Sequence, residues 1–144
     1  MPMDDDPFEL ERFVAAQDAG GIYPLAVGEL IEGRKASHWM WFVFPQIAGL
    51  GHSATSRRFA ISSPEEARAY LNHTVLGPRL IECTGIAAGL RGRSAEQIFG
   101  TIDAQKLRSS MTLFMRAAPD EPLFEQVLER FFDGQPDAAT DQRL

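Results

Sequence analysis

The chain of 144 residues is expected to be all-α, a single compact domain of six or more short helices around one core. Three observations point there. Apolar residues recur at three- and four-residue spacing in segment after segment, as the buried face of a helix requires. Two stretches, 63–66 (Ser-Pro-Glu-Glu) and 94–97 (Ser-Ala-Glu-Gln), have the form of a helix-opening capping box. No alternating apolar and polar run of useful length occurs, and no Asn-Gly or Asp-Gly joins two such runs, so strands have no signal.

The elements follow in order. Residues 8–18 carry Leu10, Phe13, Val14 and Gln17 on one face and stop at Gly20-Gly21. Pro24 suits the first turn of a second helix, with Tyr23, Ala26, Val27, Leu30 and Ile31 on one face and Gly33 as its end. The capping box at Ser63 opens a helix whose inner face is Ala67, Tyr70 and Leu71. Leu76, Leu80, Cys83, Ala87 and Leu90 then form a buried stripe. Ser94 starts a short helix ending at Gly100, residues 101–117 form a longer one, and Asp120-Glu121-Pro122 opens a helix with Phe124, Val127, Leu128 and Phe131 inward. Residues 1–7 and 136–144 are expected to be weakly ordered ends of this one domain, the second with one last turn at most.

Composition narrows the function classes. The 14 Lys and Arg against 20 Asp and Glu leave a net charge of −6, the wrong sign for a nucleic-acid or anionic-membrane protein. One cysteine excludes an internal disulfide, and the three histidines lack the helical i, i+4 spacing of a metal site, so no metal and no cofactor are expected. The acidic start lacks the features of a secretory leader, so a cytoplasmic location is expected. An uncharged window over 36–56 is long enough to test as a membrane span, but Pro45, Gln46, Gly49, Gly51 and two histidines interrupt it. No long unpartnered amphipathic helix remains, so a monomer or weak homodimer is the default.

The densest chemistry lies in 33–46, which holds both tryptophans, Lys35, His38 and Gln46. Aromatic faces with a few polar groups at their edges suit an apolar pocket; equally, Trp39, Trp41 and their neighbours suit a central core element. Gly49-Leu50-Gly51 follows as a tight turn, without the lysine and Ser/Thr of a phosphate loop. In the 101–117 helix, Leu107, Met111 and Phe114 share a face, with Asp103, Lys106 and Ser110 on or beside it and Arg108, Thr112 and Arg116 opposite on a solvated side. A carboxylate and an ammonium beside a core stripe need a partner or water. They either satisfy each other at i, i+3 or stand at the lip of a cleft. Gln17 and Tyr23 likewise need hydrogen-bond partners, from backbone or from a ligand.

The strings Phe13-Val14-Ala15-Ala16-Gln17, Ser37-His38-Trp39-Met40-Trp41-Phe42-Val43-Phe44-Pro45-Gln46, Leu76-Gly77-Pro78-Arg79-Leu80 and Ser109-Ser110-Met111-Thr112-Leu113-Phe114 resemble a family found mainly in bacteria. It is known as domain of unknown function 1810. The resemblance covers nearly the whole chain and implies a compact, mainly helical domain of this length. It implies no reaction and no catalytic residue.

The residues themselves suggest a small anionic ligand, nucleotide-derived compounds included. His38 is the candidate acid/base, Lys35 and Lys106 neutralise charge, Trp39 or Trp41 stacks on a ring, and Asp103 orients Lys106 or activates water. Gln17, Tyr23, Gln46 and Ser110 would add hydrogen bonds. Hydrolysis or group transfer would suit such a set. The alternative is a non-catalytic metabolite- or protein-binding module whose motifs mainly serve the fold.

Overall fold

The computed structural model describes residues 6–144. Ten α-helical segments run in chain order: α1 Glu11–Asp18, α2 Ile22–Glu32, α3 Met40–Val43, α4 Ala54–Arg58, α5 Pro64–Asn72, α6 Leu76–Gly89, α7 Ala95–Phe99, α8 Thr101–Ala117, α9 Pro122–Phe132 and α10 Ala138–Asp141. Among the described residues the nearest approach to sheet is one parallel bridge between Ile47 and Ile61. The protein is all-α.

α8 is the axis. It packs on α3, α5, α7, α9 and α10, while α6 closes the other side against α2, α5 and α9. The expected stripes supply the core: Phe13 from α1, Tyr70 from α5, Leu76, Leu80, Cys83 and Ala87 from α6, Leu107, Met111 and Phe114 from α8, Phe124 and Leu128 from α9. Phe13, Tyr70, Phe114 and Phe124 form a chain of tilted and edge-on rings with centroids 5.1–5.7 Å apart, the arrangement aromatic quadrupoles favour. α5 and α6 meet closely at Gly77, where a Cβ would collide with the backbone carbonyl of Leu71.

The helix starts behave largely as expected. Ser94 and Gln97 make both bonds of the capping box. Ser63 accepts from the Glu66 N–H, but the Glu66 carboxylate turns away to take the Ser62 N–H, the Ser62 hydroxyl and the Arg12 guanidinium. Arg12 also donates to the carbonyls of Phe8, Glu9, Arg58 and Ala60. One guanidinium therefore binds the segment before α5 to the start of α1.

Three expectations need correction. In α2 the inward set includes Glu29, whereas Ile31 is 63% exposed. Burying a carboxylate is tolerable because four donors converge on it, as described below. Second, Thr112 lies on no solvated side: it is fully buried, because the C-terminal segment covers that flank of α8. Third, the 136–144 segment is anchored, with Asp137 and Thr140 buried and 138, 139 and 141–144 exposed. Buried Asp137 accepts from Gln105, Ser109 and Thr140, and its own N–H donates to Thr112 Oγ1 at 2.8 Å. Arg108 donates to the carbonyls of Gln135 and Pro136, and Arg116 pairs with Asp141. The second and third corrections are one event, since the polar groups of α8 that pointed away from the core are the ones the tail satisfies. At the other end, residues 1–5 lie outside the described set, and the Asp6 carboxylate accepts the N–H groups of Leu10 and Glu11 at 2.7 and 3.0 Å.

Candidate functional site

The site is built where the loop after α2 meets the start of α8. α2 ends at Gly33, and the chain turns back over its own last turn. Glu29 organises that turn: Oε1 accepts the N–H groups of Ala36 and Ser37 and the indole N–H of Trp39 at 2.9–3.0 Å, and Oε2 accepts the Ser37 hydroxyl at 2.6 Å. Burial pushes the carboxyl up, but the Ser37 hydroxyl, the two amides and the indole outweigh it and hold the pKa down at about 2. The Lys35 N–H donates to the Ile98 carbonyl at 2.8 Å, joining the loop to α7. Trp39 is thereby locked fully inside, and Lys35 and His38 are presented toward α8.

From α8 come Asp103 and Lys106, one turn apart. Lys35 Nζ lies 2.7 Å from Asp103 Oδ2, and Lys106 Nζ lies 3.8 Å from Asp103 Oδ1. Each ammonium also rests on an indole: Lys35 is 5.0 Å from the Trp39 ring centroid and Lys106 is 4.6 Å from that of Trp41, within cation–π range. The two lysines differ. Lys35 is almost enclosed, with a 6% exposed side chain, and donates to the Ser37 carbonyl. Lys106 is more open and, among the described residues, has no acceptor closer than that 3.8 Å contact.

These groups line one cleft of about 530 Å³, with His38 at its edge and Met40, Phe99, Gly100, Thr101 and Ile102 completing the wall. The volume falls inside the range of small-molecule sites, roughly 300–1,000 Å³. Two lysines against one aspartate leave a net positive charge in a protein whose total is −6. Ile102 stands 72% exposed at the lip, an apolar surface beside the charged groups.

The structure thus brings Lys35, His38, Trp41, Asp103 and Lys106 together. Trp39 is behind the wall. Gln46 lines two adjoining depressions, one of them shared with Lys106. Ser110 is fully buried below Lys106 on α8, and its hydroxyl has no partner among the described residues. Gln17 and Tyr23 lie apart. Gln17 donates to the Phe42 carbonyl at 2.7 Å and accepts from Arg79. The Tyr23 hydroxyl donates to the Glu82 carboxylate, and burial raises its pKa well above the usual phenol value. Sequence reasoning missed Glu29, whose only signal was a carboxylate three residues after Ala26 on an otherwise apolar face. It also missed Phe99, Thr101 and Ile102, which carry no chemical signature and reach the cleft only because α7 and α8 meet at a sharp corner at Gly100.

The fold and cleft define a class: a small all-α domain with a cationic, tryptophan-backed pocket at a helix corner. Residues 7–144 match the family described as Protein of unknown function (DUF1810), and the chain belongs to that family. It is also similar to a solved structure, the conserved hypothetical protein Rv1873 from Mycobacterium tuberculosis. The two share 52% identity and superpose with a TM-score of 0.93 over 96% of this chain and 98% of that one. No curated protein matches the chain.

Proposed function

We propose that the protein binds a small anionic molecule carrying a flat ring in the cleft bounded by Lys35, His38, Trp41, Asp103 and Lys106. The observation that carries this reading is the state of Lys106. Its partner Asp103 is already engaged at 2.7 Å by Lys35, so the Lys106 ammonium, 3.8 Å away, keeps donors for an incoming anion. Lys35 and Asp103 act as the support that holds Lys106 in place over Trp41. Trp41 and the exposed Ile102 supply the apolar surfaces that a ring needs.

Whether the protein also acts on its ligand turns on His38. It is the exposed imidazole at the cleft edge, and imidazole is the side chain best suited to exchange protons near neutral pH. Asp103 has a lysine at each oxygen, which suits it to orienting charge better than to activating water. A hydrolase or transferase is therefore read with His38 as acid/base and Lys106 as the charge-neutralising group. A cytoplasmic setting suits a chain whose lone thiol, Cys83, is buried and pushed up to about 11 by that burial.

Incubation with AMP and inorganic pyrophosphate, followed by chromatography of the products, tests the catalytic half. Turnover lost in His38→Ala with binding retained supports an enzyme. Binding without turnover in the unaltered protein leaves a binding module.

A further inference from the structure

Trp41 borders two depressions. It lines the cleft of Lys35, His38 and Lys106. It also lines a second, more enclosed chamber of about 180 Å³ with Gln46, Gly49, Gly51, Ser56 and Arg57. That volume is below the size of a whole-ligand pocket and fits a single small group. Gln46 and Gly51 continue into the depression that also holds Lys106, so the two chambers open on one groove.

The walls of the second chamber are short of acceptors. The N–H groups of Gly49 and Gly51 bond to no acceptor among the described residues, although the adjacent Ala48 N–H is taken by the Ile61 carbonyl and the Leu50 N–H closes the turn over 48–49. The Gln46 amide and the Arg57 guanidinium enter no side-chain hydrogen bond or ion pair among the described residues, and the Trp41 indole N–H is buried without an acceptor. The turn is held open by its glycines. Gly49 has φ +98° and a Cβ there would collide with the Arg143 guanidinium; a Cβ on Gly51 would come within 2.6 Å of Ser56. Arg57, Gln46 and the free amides of Gly49 and Gly51 therefore offer donors around one small cavity, and backbone amides beside a positive charge suit an anion.

We propose that this chamber is a second oxyanion subsite, and that the ligand of the cleft carries two anionic groups, one on Lys106 and one held by Gln46, Arg57 and the Gly49 and Gly51 amides. The inference rests on the ligand reading above and extends it to a bis-anionic substrate class. Inorganic phosphate, free or as the terminal group of a larger ligand, has the chemistry that both subsites share.

The test is a titration of the ¹⁵N-labelled full chain with inorganic phosphate, and separately with AMP, followed by amide and indole shifts. Two groups of signals move with phosphate: His38 and Lys106, and Gly49 to Gly51 with the Trp41 indole. Arg57→Ala weakens the second group about tenfold, the loss expected for one charge-assisted bond, and spares the first. Arg57→Lys recovers part of it, and Lys106→Ala does the reverse. With AMP the 49–51 signals still answer to added phosphate. An adventitious ion only, shown by 49–51 shifts of equal midpoint in Arg57→Ala, overturns the subsite, as does a 49–51 segment that never moves. Shifts at 49–51 without shifts at Lys106 uphold the chamber and sink the cleft reading instead.

Discussion

Lys35 Nζ stands 2.7 Å from Asp103 Oδ2, and this pair is the strut between the loop after α2 and the first turn of α8. Lys35 is nearly sealed, so loss of Asp103 would strand an ammonium inside the protein. Asp103→Ala is expected to cost about 3 kcal/mol in urea unfolding. Lys106→Ala, which removes only the 3.8 Å contact of a more open side chain, is expected to cost under about 1 kcal/mol. Equal costs would mean that Lys106, too, is a structural strut.

Glu29 makes the acid limb of the stability curve. Its folded pKa, about 2, lies below the ordinary 4.5, so the native state binds its proton less readily than the unfolded chain does. The contribution is therefore complete above pH 4.5 and is lost as pH falls through 2. The difference corresponds to about 3 kcal/mol. Glu29→Gln should be less stable at neutral pH and should lose less stability between pH 4.5 and 2 than the unaltered protein. Parallel curves for the two proteins would refute this assignment.

The two tryptophans predict opposite outcomes. Trp39 is fully buried and its indole N–H donates to Glu29 at 2.9 Å, so Trp39→Phe is expected to lower stability by about 2–3 kcal/mol. The Trp41 N–H has no acceptor among the described residues, and Trp41→Phe removes an unsatisfied donor, with a change within about 1 kcal/mol. Chemical denaturation of the pair reads this directly.

The C-terminal turn is anchored at Asp137 rather than at the surface pair. Asp137→Ala leaves the donors of Gln105, Ser109 and Thr140 without their carboxylate and is expected to cost about 2–3 kcal/mol. Asp141→Ala breaks an Arg116 pair whose side chains are 47% and 37% exposed and should change stability by less than about 1 kcal/mol. Hydrogen exchange at residues 138–142 should accelerate in the first variant far more than in the second.

Much of this molecule was legible from spacing and punctuation alone. The stripes of α6, α8 and α9 and the Ser94 box lie where the pattern put them, because each depends on residues within one or two turns. The tail was not legible, because Asp137 earns its place only through Gln105, Ser109 and Thr112, which are distant in sequence. Glu29 was missed for the same reason: its donors come from a loop that only Gly33 directs back. In the cleft, helix-wheel reasoning brought out Asp103 and Lys106, and the aromatic run brought out Lys35, His38 and Trp41. Gln17 and Tyr23 failed to join them because both satisfy themselves on α6 and α3 neighbours.

Lys106, held over Trp41, is the group proposed to receive an anion. Isothermal titration of the intact protein with AMP at low ionic strength tests it most directly. One binding event per chain is expected, weakened at least about tenfold in Lys106→Ala, the loss of one charge-assisted hydrogen bond, and fading as salt is raised. Binding of equal strength in the unaltered protein and in Lys106→Ala, or no binding in either, would contradict it.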